Sequence, residues 1–148
     1  MKLNTRVRYA LRLMVDIAQN SANGPVPLLE VARRQDVSRA YLAQLAIPLK
    51  NASLLKSTWG NRGGYVLGRC SREISIRDVV EAVDGPISLL DCILDPARCD
   101  RMAFCQCVRI WRDVNRGIVA SLERYTLEDL IARPGRVGVS RSESRRTP

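Results

Sequence analysis

The chain has 148 residues, 46% apolar and 5% aromatic, with 24 Lys/Arg against 15 Asp/Glu and no histidine. That length suits one domain with an aliphatic core, or a small domain plus a helical extension, and excludes two full domains. Without histidine, a phosphate-binding glycine loop or paired acids in a motif, it offers no acid–base or nucleophilic constellation, so an enzyme is not expected.

Charge is unevenly spread. Residues 1–67 carry ten Lys/Arg and three Asp/Glu, residues 68–132 nine and eleven, and residues 133–148 five and one. A basic first half suits a phosphate backbone, because each neutralised phosphate releases counterion. The competing reading is an ordinary solvated basic surface.

The opening MKLNTRVRYALRLMVDIAQN is basic and apolar, yet Arg12 and Asp16 interrupt any leader-like apolar run and no small-residue cleavage site follows. Val7, Leu11, Met14 and Ala18 instead trace the inner stripe of an amphipathic helix. No run reaches membrane-spanning length, so no membrane partner is expected and the cytoplasm is the expected location. There, cysteines serve as metal ligands or redox thiols more than as disulfides.

After the SANGP loop, Leu28 to Gln35 reads as a short helix entered through Pro27. Asp36 and Val37 make a tight connection, and Ser38 caps a second helix that turns Leu42, Leu45 and Leu49 inward and Arg39, Ala40, Ala43 and Gln44 outward. Two short helices so joined are what a helix-turn-helix requires. Pro48 lacks an N–H, so this helix is expected to kink or end near Ala46 or Ile47. LLKSTWGNRGGYVLGR follows as a hairpin whose tip, Gly60 to Gly64, lets backbone approach a partner, with Arg62 at its apex to enter a minor groove or hold a phosphate. A plain surface hairpin is the alternative to a DNA-contacting wing.

Ser75 to Asp78 forms a capping box for a helix with Ile76, Val79, Val80 and Val83 on one face, stopped by Gly85-Pro86. Four of the five cysteines then fall within CILDPARCDRMAFCQC, expected as a loop. From Val108 a long stripe runs through Trp111, Val114, Ile118, Leu122 and Tyr125. It is expected to bury itself against a second copy, the alternative being its own head. Thr126 to Asp129 opens a last short helix.

The expected fold is therefore mainly α with a small β-hairpin: a winged helix-turn-helix head plus a long dimerisation helix. The head spans 1–86, a cysteine-rich loop 87–107, the dimerisation helix and short C-terminal helix 108–132, and a disordered basic tail 133–148. The expected DNA contacts are Ser38, Arg39, Ala40, Tyr41 and Gln44 on the second helix, with Lys56, Asn61 and Arg62 in the hairpin.

From residue 1 to about 132 the sequence resembles the Rrf-type winged-helix transcription regulators, the family of IscR, NsrR and CymR. The resemblance lies in TRVRYALRLMVDIA, VSRAYLAQL, LLKSTWGNRGGYVLGR, EISIRDVVEAVDG, the cysteine loop, WRDV and TLEDL, in order and with family spacing. It implies a homodimeric regulator that places Ser38 to Ala46 in the major groove and the hairpin tip near the minor groove. It also implies an iron-sulfur cluster, 2Fe-2S or 4Fe-4S, on Cys92, Cys99 and Cys105, through which redox, nitric oxide or iron-sulfur status is sensed. Thiolates are the preferred ligands of such clusters.

This chain departs from the family in four places. Ala43 replaces the glutamate of the Y-L-E-Q motif, and Trp59 stands where the wing often has Arg. Val108 occupies the histidine-ligand position of one branch and Arg8 the acidic-ligand position of another. Cys107 is the local substitute as fourth ligand, provided the helix starts after it. A tetrahedral zinc site and a metal-free thiol switch compete with the cluster, although C-x6-C-x5-C-x-C fits no common zinc-finger spacing. Cys70 is expected to be a semi-buried small residue. In a different class stands a small iron-sulfur carrier, for which a helix-turn-helix and wing are superfluous.

Overall fold

The structure, a computed structural model, describes residues 4–132; the basic tail expected at 133–148 lies outside the described residues. Helix α1, Thr5–Asn20, is capped by the Asn4 side chain, which accepts from the Val7 N–H at 2.9 Å. It buries Val7, Ala10, Leu13, Met14 and Ile17, while Leu11 and Ala18 sit at the margin of the core. The buried arc is wider than one stripe because α1 is central, covered from several sides by the other helices of the head.

Helix α2, Leu28–Gln35, starts directly after Pro27 at its N-cap. Asp36 then takes the left-handed conformation, φ 52°, and reverses the chain. The Ser38 hydroxyl accepts from the Tyr41 N–H at 3.2 Å and opens α3, Arg39–Asn51, which buries Leu42, Leu45, Ala46 and Leu49. Contrary to the sequence expectation, α3 continues through Pro48. The missing N–H leaves only the carbonyl of the exposed Gln44 without its helical donor, and water can serve it. Burial of Leu45, Ala46 and Leu49 holds the helix on both sides of the proline. The stop comes at a Schellman turn: Leu54 N–H donates to the Leu49 carbonyl at 2.9 Å and Ser53 N–H to the Lys50 carbonyl at 2.9 Å, with Ser53 at φ 58°.

Strands β1, Leu55–Thr58, and β2, Gly64–Leu67, form the antiparallel hairpin, with Leu55 opposite Leu67 and Thr58 opposite Gly64. The turn is residues 59–63, so Gly64 belongs to the ladder and not to the tip. Val26 adds a bridge to Tyr65 through two 2.9 Å hydrogen bonds. A Cβ on Gly64 would lie 2.5 Å from the Val26 carbonyl carbon, so the partner that this glycine admits is the chain's own backbone.

Helix α4, Ile76–Asp84, has the expected capping box and buries Ile76, Val79, Val80 and Val83. The cysteine segment is not a plain loop. Helix α5, Asp91–Leu94, is followed by single 3-10 turns at Pro96–Arg98 and Met102–Phe104. Local chemistry favours them: Asp95 accepts from the Ala97 N–H at 3.1 Å, and Pro96 occupies a first-turn position. Helix α6, Val108–Arg124, and α7, Leu127–Ala132, complete the described residues. The chain between them returns to the head, with Ile76 N–H on the Tyr125 carbonyl and Leu127 N–H on the Ile74 carbonyl, each 2.8 Å. Leu127 is fully buried in the core.

Candidate nucleic-acid interface and cysteine segment

On α3 the structure exposes Ser38, Arg39, Ala40 and Gln44, whereas Ala43 and Tyr41 are half-buried. The Ala43 expectation is corrected to this extent, because its methyl packs against the core. Tyr41 stands edge-on to Tyr9, centroids 5.8 Å apart and planes at 87°. The Arg12 guanidinium lies 5.1 Å from the Tyr9 centroid and also donates to the side chain and carbonyl of Gln35, each at 2.9 Å. Tyr41 thus joins α3 to a basic, aromatic patch on α1 that sequence reading missed.

Between α3 and the hairpin lies an open cleft of about 660 Å³ lined by Arg39, Ala43, Lys50, Thr58, Trp59 and Tyr65, among others. Asn61 and Arg62 line a second cleft with Asn20, Asn23, Glu30 and Arg34, between the turn and α2. Lys56 is exposed on β1. Arg39, Lys50, Lys56 and Arg62 form no ion pair among the described residues. Their charge is unspent within the fold and available to an anionic partner.

The helix-turn-helix is held by a group that the sequence did not single out. Asp16, 2% exposed, receives Arg34 Nη2 at 2.6 Å, Arg34 Nε at 3.1 Å and Gln35 Nε2 at 2.8 Å. The hydrogen bond that Arg34 donates to Asp16, opposed by desolvation and helped by the charges of Asp16 and Glu30, raises the Arg34 pKa above the ordinary arginine value. Both donors sit on the last turn of α2, so the buried carboxylate fixes the turn from which α3 departs. The only hint in the sequence was Asp16 breaking an apolar run.

The structure distributes the four clustered cysteines along the segment. Cys92 lies on α5, and Cys99 and Cys105 close the two 3-10 turns; all three are half-buried. Cys107 is exposed at the N-cap of α6, and the helix begins immediately after it. Cys70 is exposed, contrary to the sequence expectation, because it stands before the surface turn Ser71–Glu73. Among the described residues no three His, Cys, Asp or Glu side chains stand together as a ready metal site. The donors suit soft-metal or redox chemistry by type, and gathering them requires the single turns between them to rearrange.

Asn115 is the second residue the sequence did not reveal. Among the described residues of α6 it alone is buried, at 8% exposure. Its Oδ1 accepts from the Leu89 N–H at 2.9 Å and its Nδ2 donates to the Ile87 carbonyl at 3.3 Å. The chain entering the cysteine segment is therefore tied to the middle of α6. Leu122 on the same side packs on the head core, and Arg77 of α4 meets Glu123 at 3.4 Å. Nearer the start of α6, Ile110, Trp111 and Val114 are exposed, at 62%, 44% and 43%.

Two helices joined by a tight turn, a following hairpin and a face of unspent cations define a winged helix-turn-helix transcription regulator. Residues 3–133 match the family model of Rrf2, described as an iron-dependent transcriptional regulator, and the chain belongs to this family. It is 36% identical over 157 aligned positions to the HTH-type transcriptional regulator IscR of Xenorhabdus nematophila, covering 100% of this chain and 92% of that protein. Protein rrf2 of Nitratidesulfovibrio vulgaris is 36% identical over 131 positions, with 88% and 87% covered. Among solved structures, CymR, the global cysteine regulator of B. subtilis, superimposes with a TM-score of 0.75 at 34% identity, over 91% of this chain and 99% of that one. T. potens IscR gives 0.73 at 31% identity, over 91% and 89%. The relatives are regulators, and the function is not enzymatic. Among the described residues no helix is long and apolar enough to cross a membrane.

Proposed function

We propose that the chain is a cytoplasmic homodimer that binds double-stranded DNA and regulates transcription, with the cysteine segment as its sensor. The carrying observation is the face formed by α3 and the hairpin, where Arg39, Lys50, Lys56 and Arg62 present charge that no carboxylate among the described residues neutralises. On this reading Ser38, Arg39, Ala40 and Gln44 enter the major groove. Tyr41 supports them through Tyr9, Lys56 meets phosphate, and Asn61 and Arg62 reach the flanking minor groove. A second copy covers Ile110, Trp111 and Val114, pairing two recognition helices for a two-fold site. An electrophoretic shift with random genomic duplexes tests this directly. A retarded complex that weakens steeply with salt is expected, and no complex at low salt would reject the reading.

For the sensor, the donor types fit an iron-sulfur cluster on Cys92, Cys99 and Cys105, with Cys107 as a fourth thiolate at the open start of α6. The family's description as iron-dependent supports this. A bound cluster would supply sensitivity to oxygen, nitric oxide or iron supply. The protein's own part is to gather thiolates from single turns that have few buried contacts. Because Asn115 ties residues 87 and 89 to α6, and α6 packs on α4, a rearranged segment would shift the head relative to the dimer helix. A metal-free thiol switch on the same cysteines is the second reading. It is favoured by their separation in this structure and by the likeness to CymR.

A further inference from the structure

Trp59 is 97% exposed and takes no part in the core cluster, although indole is among the costliest side chains to leave in water. It follows directly after β1, on a turn that is pinned. Gly63 N–H donates to the Gly60 carbonyl at 2.9 Å, and the Thr58 hydroxyl donates to the Gly64 carbonyl at 3.3 Å. Gly60, at φ 122°, leaves the side of the turn beyond Trp59 bare. The indole shares its cleft with Arg39 and Lys50, so whatever is drawn there by charge also covers the ring.

We propose that Trp59 is the sequence-selective element of the wing: its flat indole enters the minor groove edge-on and packs between the sugar walls. This deepens the DNA-binding reading above and rests on it. An apolar ring neutralises no phosphate and releases no counterion, so its contribution is independent of salt, unlike that of Arg39, Lys56 and Arg62. The guanine 2-amino group projects into the minor groove and obstructs a ring lying on its floor, whereas A·T pairs leave that floor open. The wing therefore favours A·T-rich flanks.

The test uses a duplex selected by the full-length wild-type protein from a random-sequence pool. Trp59→Ala should keep the wild-type melting temperature, bind on the order of tenfold more weakly, and retain the salt slope. Trp59→Arg should bind with a slope steeper by about one phosphate contact. Replacing adenine by 2,6-diaminopurine under the wing adds the 2-amino group and leaves the major groove unchanged. It should weaken wild type several-fold and Trp59→Ala hardly at all. Tryptophan emission, taken as the difference between wild type and Trp59→Phe, should be quenched by the duplex. If Trp59→Ala binds as tightly as wild type and the emission does not change, the ring serves a protein partner and the proposal is overturned. If wild type selects no duplex from the pool, the DNA-binding reading fails and takes this proposal with it.

Discussion

Asp16 illustrates how one side chain can fix a motif. Its carboxylate is buried and is satisfied chiefly by Arg34 and Gln35, with a longer hydrogen bond from the Asn20 side chain at 3.4 Å. Removing one partner of such a pair leaves the other uncompensated, but Arg34 remains about a third exposed, so the cost falls below that of a fully buried pair. Asp16→Ala is expected to lose about 2 kcal/mol of stability, read from urea unfolding, and to bind DNA more weakly as α2 loosens. An unchanged midpoint would remove Asp16 from this role. The raised Arg34 pKa makes no difference at ordinary pH. Stability from a raised basic group is complete below its unfolded value and is lost only as pH climbs through the folded one, which here lies beyond the usual arginine range. At the hairpin turn, Arg62 has no carboxylate partner among the described residues, so Arg62→Ala should leave stability unchanged within about 0.5 kcal/mol. It should also lower the slope of log K against log salt by about one. Titrations of the two proteins across a salt series decide this, and coincident lines would take Arg62 out of the interface.

Helix α6 is covered unevenly along its length. Asn115 and Leu122 pack toward the head, whereas Ile110, Trp111 and Val114, nearer the helix start, stay exposed as a run of apolar surface. The single stripe read from the sequence did not separate them, because Leu122 and Trp111 lie on nearly the same side of the helix and differ in their position along its axis. Trp111→Glu or Val114→Glu should therefore yield a folded monomer, whereas Leu122→Glu should damage the head itself. Sedimentation velocity beside circular dichroism separates these outcomes. Intact dimers from both outward variants would place the interface elsewhere. Helix α3 teaches the converse: a local breaker, Pro48, was overruled because the burial of Leu45, Ala46 and Leu49 exceeds the loss of one backbone hydrogen bond.

At the scale of the molecule, the cysteine segment leads from a tightly packed head into the helix proposed to dimerise, and Asn115 ties its entry to that helix. If the segment holds an iron-sulfur cluster, alanine at Cys92, Cys99 or Cys105 should abolish anaerobic reconstitution, as read from iron, sulfide and the visible spectrum. Cys70→Ala should leave it intact, and Cys107→Ala should shorten the lifetime of the cluster in air. Uptake of stoichiometric iron by the triple variant would show these ligands to be wrong. No uptake by wild type purified without oxygen would make the metal-free thiol switch the working mechanism.

The elements were legible from sequence wherever the signal was local. Ser38 and Ser75 as caps, the periodicity of α1, α4 and α6, the hairpin glycines and the split of charge all act within a few residues of themselves, so composition and spacing sufficed to place them. What escaped was non-local. Asp16 has meaning only beside Arg34 and Gln35, Asn115 only beside Ile87 and Leu89, and Gly64 only against Val26, in each case a partner more than fifteen residues away. Burial of a polar side chain and close approach of two backbones depend on which elements meet. Spacing along the chain carries no record of that meeting, so only the tertiary structure could decide which part of α6 stayed free and which side chains hold α2 and α3 in place.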